Sequence, residues 1–214
     1  DGGSISPSSD AICDGDNYAM SATGATTGYD ITYQWEVSSV GGGAGFSNVT
    51  GGTGATTTSY TTDALAAGTY YYRLKVTCTS GAIDGYSNEF ELTVNPLVTY
   101  YADADADTYG DAGVSTTTCD GAPIGYVIDG TDCDDTNNDI NPGATEICNA
   151  IDDNCDGNTD EGLTFTTYYA DADSDTYGDA GSSTSTCDGA PAGYVADDTD
   201  CDDTNADINP GAAE

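Results

Sequence analysis

Beyond Pro96 the chain sets aspartates two residues apart, repeatedly, with few apolar residues between them. Asp103, Asp105, Asp107 and Asp111 stand in one nine-residue stretch, and Asp171, Asp173, Asp175 and Asp179 repeat it. Of 38 acidic residues, 28 lie after Pro96, while the whole chain of 214 residues has two basic residues, Arg73 and Lys75, and no His. Such a segment cannot collapse on hydrophobic burial, and its like charges repel. It is either disordered or held by bound cations and cross-links. Eight Cys, 16 Tyr and the fixed Asp spacing argue for order. The pattern therefore predicts a metal-dependent fold.

The net charge of −36 excludes nucleic-acid binding, which needs a basic face, and attraction to an anionic membrane. Without His there is no imidazole base and no His-ligated zinc, so no enzyme is expected. No apolar run approaches the roughly 20 residues of a membrane span, so no membrane insertion is expected, and the sequence reads as a mature chain without a signal peptide. Cys13, Cys78, Cys119, Cys133, Cys148, Cys155, Cys187 and Cys201 are even in number and lack zinc-type spacing. They read as disulfides of an extracellular or cell-surface protein, with buried free thiols as the alternative.

Residues 1–96 read as a β-sandwich. Ile31–Val37 alternates with Ile31, Tyr33, Trp35 and Val37 on one face; Tyr70–Cys78 and Phe90–Val94 alternate too, between glycine clusters. Cys13, Trp35 and Cys78 have the order of an immunoglobulin-like core. Ala11-Ile12-Cys13, Tyr33-Gln34-Trp35, Phe46-Ser47-Asn48-Val49, Thr69-Tyr70-Tyr71-Tyr72-Arg73 and Ser87-Asn88-Glu89-Phe90 together resemble the Ig-like repeats of secreted Bacteroidota surface proteins. That resemblance implies an exported spacer domain and no chemistry.

After Pro96 comes an internal repeat. Residues 99–146 match 167–214 at an offset of 68, with 40 of 48 positions identical. Fixed-period repetition is the signature of an array. The expected organisation is an Ig-like sandwich over 1–96, an Asp/Cys-rich calcium-binding module over 97–162, and a second module over 163–214 that breaks off inside the repeat. The fold class is thus mostly β, followed by loop-rich modules stabilised by disulfides and calcium.

Three Asp clusters carry the chemistry. Asp152, Asn154, Asp156 and Asp160 fall at positions 1, 3, 5 and 9 of a loop with Gly157 at 6, the front half of an EF-hand-like calcium loop. Leu163 stands where the bidentate Glu belongs, so Glu161 or a neighbouring loop must complete the shell; Asn158 is a further candidate. The second pattern places Asp103, Asp105, Asp107 and Asp111 at 1, 3, 5 and 9, with Tyr109 at 7 and Gly110 at 8. Asp171, Asp173, Asp175, Tyr177 and Asp179 repeat it. In the third, Asp132, Asp134, Asp135, Asn137 and Asp139, repeated as Asp200, Asp202, Asp203, Asn205 and Asp207, either complete the loops or form sites of their own. Solvated acidic loops are the alternative.

The run Tyr-Tyr-Ala-Asp-Ala-Asp…Asp-Cys-Asp-Asp…Ile-Asn-Pro-Gly-Ala…Glu-Ile-Cys-Asn…Asp-Asp-Asn-Cys-Asp-Gly over 99–162 is similar to the MopE-type metal-binding repeats of secreted bacterial proteins, akin to thrombospondin type-3 calcium repeats. The resemblance implies metal binding. Copper prefers imidazole and soft sulfur; hard oxygen donors favour several calcium ions, with Mg²⁺ the lesser option. Proximity and resemblance together imply the pairs Cys13–Cys78, Cys119–Cys133, Cys148–Cys155 and Cys187–Cys201.

Asn48 heads a glycosylation sequon in an expected loop. Tyr100, Tyr101, Tyr126, Tyr168, Tyr169 and Tyr194 read as module core rather than a sugar platform. The function expected is an extracellular, calcium-stabilised structural protein: a repeat or subunit of a bacterial surface fibre, filament or adhesin stalk. Its partners would be head-to-tail copies of itself or neighbouring modules of a longer chain. A carbohydrate-binding adhesin contacting surface glycans and a copper-binding secreted protein are the alternatives.

Overall fold

The computed structural model describes residues 1–212. It is all-β: no helix occurs among the described residues, and so none long and apolar enough to cross a membrane. Two compact units are present, Asp1–Tyr100 with Ser115–Ile128, and Tyr101–Val114 with the residues from Asp129 onward.

The first unit holds the sandwich. Its strands are β1 (Ser4–Ile5), β2 (Ser9–Cys13), β3 (Ala19–Thr23), β4 (Ile31–Ser38), β5 (Ser47–Asn48), β6 (Ser59–Thr61), β7 (Gly68–Cys78), β8 (Ile83–Tyr86) and β9 (Phe90–Asn95). One sheet runs β2-β9-β7-β4-β5, with β8 paired to β7; the other runs β1-β3-β6. Period-two alternation turns Trp35 of β4, Tyr72, Leu74 and Val76 of β7, and Phe90, Leu92 and Val94 of β9 inward. Ile5, Met20, Ala22 and Tyr60 of the three-stranded sheet meet them. Trp35 is fully buried, and its indole N–H donates to the Thr57 carbonyl at 2.9 Å. Both basic residues are engaged here. Arg73 pairs with Glu36 at 2.7 Å between the rings of Phe46 and Tyr86, and Lys75 pairs with Asp84 at 2.8 Å.

Beyond Pro96 come β10 (Val98–Ala102), β11 (Asp111–Thr118) and β12 (Tyr126–Val127). At the repeat offset they recur as β13 (Thr166–Ala170), β14 (Asp179–Thr186) and β15 (Tyr194–Val195), a sheet in the order β14-β13-β15. Apolar burial nearly vanishes in the second unit. Ile140 is its one buried large apolar side chain among the described residues, and Glu146, Asp153 and Asp160 are buried instead.

The disulfides correct the expected pairing. The bonds are Cys13–Cys119, Cys133–Cys155 and Cys148–Cys187, and Cys78 and Cys201 are free thiols. Strand register explains why. Cys13 aligns with Asn95, and Val94 aligns with Gly68, so Cys13 lies at the start of β7 while Cys78 ends it. Ten residues of strand separate those ends by about 33 Å, whereas a disulfide needs Cα atoms within about 7 Å. Cys13 and Cys78 also belong to one sheet, so no cross-sheet bridge is possible. In the repeat, Asp179 bridges Thr199 at one end of β14, and Cys187 follows the other end, about 26 Å along the strand. Cys187 therefore cannot reach Cys201 and bonds Cys148. Strand β11 is built alike, and Cys119 bonds Cys13 rather than Cys133. Cys155 is taken by Cys133, where the Asn141 amide donates to the Asp153 carbonyl at 2.9 Å. Asn48 is exposed, but in the short edge strand β5 rather than a loop.

Replacing Trp35 with Ala removes the largest buried side chain of the sandwich and orphans the Thr57 carbonyl. The expected cost is about 3–5 kcal/mol, measured as a lower midpoint in denaturant unfolding followed by far-ultraviolet circular dichroism.

Candidate metal centres

Each Asp loop leaves its first strand and turns back within a few residues. After β10, alternate residues Asp103, Asp105 and Asp107 are half-buried while Ala104, Ala106 and Thr108 are exposed. Three carboxylates thereby converge. The Asp103 carboxylate closes the turn: Oδ1 accepts the Ala106 amide at 2.7 Å and Oδ2 the Thr108 amide at 3.3 Å. Ala106 and Thr108 adopt the left-handed conformation, at φ 68° and 84°; Ser174 and Thr176 repeat it at 68° and 81°. The EF-hand turn needs glycine at position 6; here Thr108 takes that conformation and Gly110 does something else. Gly110 is buried, and a β-carbon on it would stand 2.6 Å from the Ala102 carbonyl oxygen, so only glycine lets the strands approach.

The third cluster is brought to the same place. The Asp132 amide donates to the Gly110 carbonyl at 3.2 Å, and the Asp135 carboxylate accepts the Ala104 amide at 2.8 Å. Oxygens of Asp105, Asp132 and Asp135 lie within 4.8 Å of one another, as do those of Asp103, Asp105 and Asp107. Five carboxylates thus share one centre. Both oxygens of Asp105, Oδ2 of Asp107 and Oδ2 of Asp132 are buried without a hydrogen-bond partner. The repeat reproduces this. Both oxygens of Asp173, Oδ2 of Asp175 and Oδ2 of Asp200 are orphaned, Asp171 caps the Ser174 and Thr176 amides, and Asp203 accepts the Ala172 amide.

Buried anions without donors raise their own proton affinity. Burial holds the carboxyl groups of Asp105, Asp132 and Asp173 above the ordinary carboxylate range, and neighbouring carboxylates push the same way. Arg73 and Lys75 are committed in the sandwich, so no side-chain cation of this chain neutralises the centres.

The loop at 152–161 is the third candidate, and most of its oxygens are engaged within the chain. The Asp152 carboxylate accepts the Asp156 and Gly157 amides at 3.1 and 2.8 Å, and the Asp156 carboxylate accepts the Asn158 amide at 2.8 Å. Asn154 donates to Glu161 Oε1 at 2.6 Å, while Glu161 Oε2 is buried and orphaned. Asp160 serves differently: its Oδ1 accepts the Asn149 and Ala150 amides at 3.0 and 3.1 Å.

Other candidate residues lie elsewhere. Asp111 and Asp179 accept the Gly113 and Gly181 amides at 2.7 and 2.8 Å. Asp134 and Asp202 hold the hydroxyls of Thr136 and Thr204. Asn137, Asp139, Asn205 and Asp207 are exposed. The Tyr109 and Tyr177 rings run to Gly143 and Gly211, where a β-carbon would stand 2.9 and 2.7 Å from the hydroxyl oxygen. Two acids were not among the sequence candidates. Glu146 accepts the amides of Asp153, Asn154 and Asp160 at 2.8–3.0 Å, and Asp153 accepts the Ile147 amide at 3.0 Å. Asp153 is buried between half-buried Asp152 and Asn154 in a loop without strand periodicity, so no spacing in the sequence marks it.

The Asp-rich segments are similar to a metal-binding family. Residues 132–161 and 200–214 match the copper-binding MopE family, described as "Putative metal-binding motif". Residues 1–96 match a domain of unknown function. A search of the curated proteins finds no match for the chain. The matched segments supply Asp132, Asp135 and the whole 152–161 loop, and their equivalents Asp200 and Asp203. The Cys groups near carboxylates offer no thiolate, because Cys13, Cys119, Cys133, Cys148, Cys155 and Cys187 are all in disulfides. The donors facing the centres are oxygens.

Two outcomes follow for the metal-free protein. Its Asp105, Asp132 and Asp173 groups bind protons more tightly folded than unfolded, so their contribution to stability grows as pH falls through the raised values. It is complete below the ordinary value of 3.8 and lost as pH rises. Melting of the chelator-treated protein at pH 7 and pH 5 should therefore show the higher midpoint at pH 5, and metal-loaded protein should show the reverse as protons compete for the ligands. The paired change Asp105→Asn and Asp173→Asn should leave the chelated protein no less stable while abolishing most of the midpoint gain from added metal at those centres.

Proposed function

We propose that this chain is a calcium-stabilised, non-catalytic structural module of an extracellular bacterial surface fibre or stalk. The observation that carries the reading is the pair of matching centres, each with four buried, donorless carboxylate oxygens, in a chain whose two basic residues are engaged elsewhere. A multivalent cation supplies what those oxygens lack. Calcium accepts six to eight oxygen ligands in flexible geometry, whereas Mg²⁺ demands a strict octahedron. The family match carries a copper name, but the donors do not suit copper. The chain has no His, and its one Met, Met20, is buried in the sandwich.

Three disulfides fit an oxidising, extracellular setting. With calcium bound, each module becomes a rigid link, and repetition of such links suits a rod. Head-to-tail association of copies is the assembly that a non-closing contact between repeated modules would produce.

The test is a titration. Each calcium site held at about a hundredfold over its dissociation constant stabilises the fold by about 2.7 kcal/mol. Chelation should lower the melting midpoint of the acidic unit by on the order of 10 °C. Calcium should restore it, Mg²⁺ should restore less, and Cu²⁺ should not displace calcium. A melting curve indifferent to chelator would sink the calcium reading, and monomeric light scattering at high concentration with calcium present would sink the head-to-tail assembly.

A further inference from the structure

The open oxygens of the first centre are unevenly distributed among its carboxylates. Asp107 and Asp132 each have one oxygen engaged and one not. Asp107 Oδ1 accepts the Tyr109 amide at 2.8 Å and Asp132 Oδ1 the Asp134 amide at 2.9 Å, while Oδ2 of each is buried without a donor. Asp105 has both oxygens buried and unengaged. The repeat divides its oxygens in the same way. Asp175 Oδ1 accepts the Tyr177 amide at 2.9 Å and Asp200 Oδ1 the Asp202 amide at 3.0 Å, and Asp173 has both oxygens open.

The grouping of the carboxylates follows this division. Oxygens on one calcium ion lie within twice the metal–oxygen distance of one another, about 5 Å. Two triads meet that limit at 4.8 Å: Asp103, Asp105 and Asp107, and Asp105, Asp132 and Asp135. Asp105 is their common member. Each triad thus has one half-engaged carboxylate, Asp107 or Asp132, and a claim on one open oxygen of Asp105. Charge points the same way. Five ionised carboxylates with no cationic side chain beside them keep three negative charges after one divalent ion binds, and one after two bind.

We infer that each centre takes two cations rather than one, and that Asp105, and Asp173 in the repeat, is the carboxylate that bridges them. One ion sits with Asp103 and Asp107, the other with Asp132 and Asp135, and Asp105 gives an oxygen to each. The ions then have separate structural roles. The first has all its carboxylates on the 103–107 turn, so it closes that turn. The second ties the turn to the 132–135 segment. The inference rests on the reading of these centres as calcium sites and adds the number of ions and the bridging ligand.

The test is a count of calcium bound per chain, by equilibrium dialysis of the whole protein in physiological salt, at the lowest calcium concentration that saturates it. The variants are Asp105→Asn, Asp107→Asn, Asp132→Asn and the double change Asp107→Asn with Asp132→Asn. Asparagine keeps a carbonyl oxygen for the Tyr109 and Asp134 amides. Asp105→Asn should lower the count by two, each of the other single changes by one, and the double change by two. Asp173→Asn, Asp175→Asn and Asp200→Asn should give the same pattern, and they supply the reading if a first-copy variant loses the wild-type circular dichroism spectrum. A loss of one ion from Asp105→Asn, or of only one from the double change, overturns the inference and leaves the calcium reading standing. Wild-type protein that binds no calcium overturns both.

Discussion

Burying a carboxylate is costly unless something replaces its water. The second unit has almost nothing but carboxylates to bury, and it resolves this in two ways. Glu146, Asp153 and Asp160 are enclosed and accept backbone amides, Glu146 three of them and Asp160 two. They do what a hydrophobic core does elsewhere, tying loop to loop through groups that would otherwise go unsatisfied. Asp105, Asp107, Asp132, Asp173, Asp175 and Asp200 are held at the centres with oxygens that accept nothing. The first set is satisfied by the chain's own amides; the second set finds no donor within the chain. The same chemical group thus acts as scaffold or as site according to whether amides reach it.

The backbone around the orphaned oxygens is itself strained. Thr108 and Thr176 are β-branched residues in the left-handed region, and each such position costs on the order of 1–3 kcal/mol. The turn persists because Asp103 and Asp171 cap it from within. The reward of the strained turn is geometric: it directs three alternating carboxylates inward over five residues. Gly110 and Gly178, displaced from the EF-hand position, let the loop lie against the strand it left. This is a calcium-loop spacing on a different turn, so the position-by-position roles of the EF-hand do not transfer, and position 9 illustrates it. Asp111 opens β11 and holds the Gly113 amide.

What the sequence made legible was what depends on period. The alternation in Ile31–Val37 and Phe90–Val94 located strands and the inward face around Trp35, because a sandwich face is a local pattern. The half-burial of Asp103, Asp105 and Asp107, and of Asp171, Asp173 and Asp175, in alternation with exposed residues follows the same period. Connections depending on register across distant segments were not. The disulfide pairing inferred from nearness along the chain failed because an eight-residue strand separates Cys187 from Cys201 by more than any disulfide spans. Which acids of the third cluster join the centre was equally hidden. Asp132 and Asp135 arrive there through hydrogen bonds to Gly110 and Ala104, whereas Asp134, between them, turns to Thr136.

Disulfides and a bound ion act on opposite sides of the folding equilibrium. Cys133–Cys155 and Cys148–Cys187 close separations of 22 and 39 residues. In the chain-entropy account they destabilise the unfolded state by about 3–4 kcal/mol each. That offsets the entropy of ordering long, polar loops, but it leaves carboxylate repulsion untouched, since the charges are brought together in the folded state. A bound cation acts only there. It cancels the repulsion and supplies the missing donors, yet it can bind well only to oxygens that the chain has already gathered. Cross-links shrink the search, the Asp-capped turns gather the carboxylates, and a bound ion would fix what they gather. A hydrophobic core performs all three tasks at once, and where the sequence gives up its core the tasks are divided among different groups.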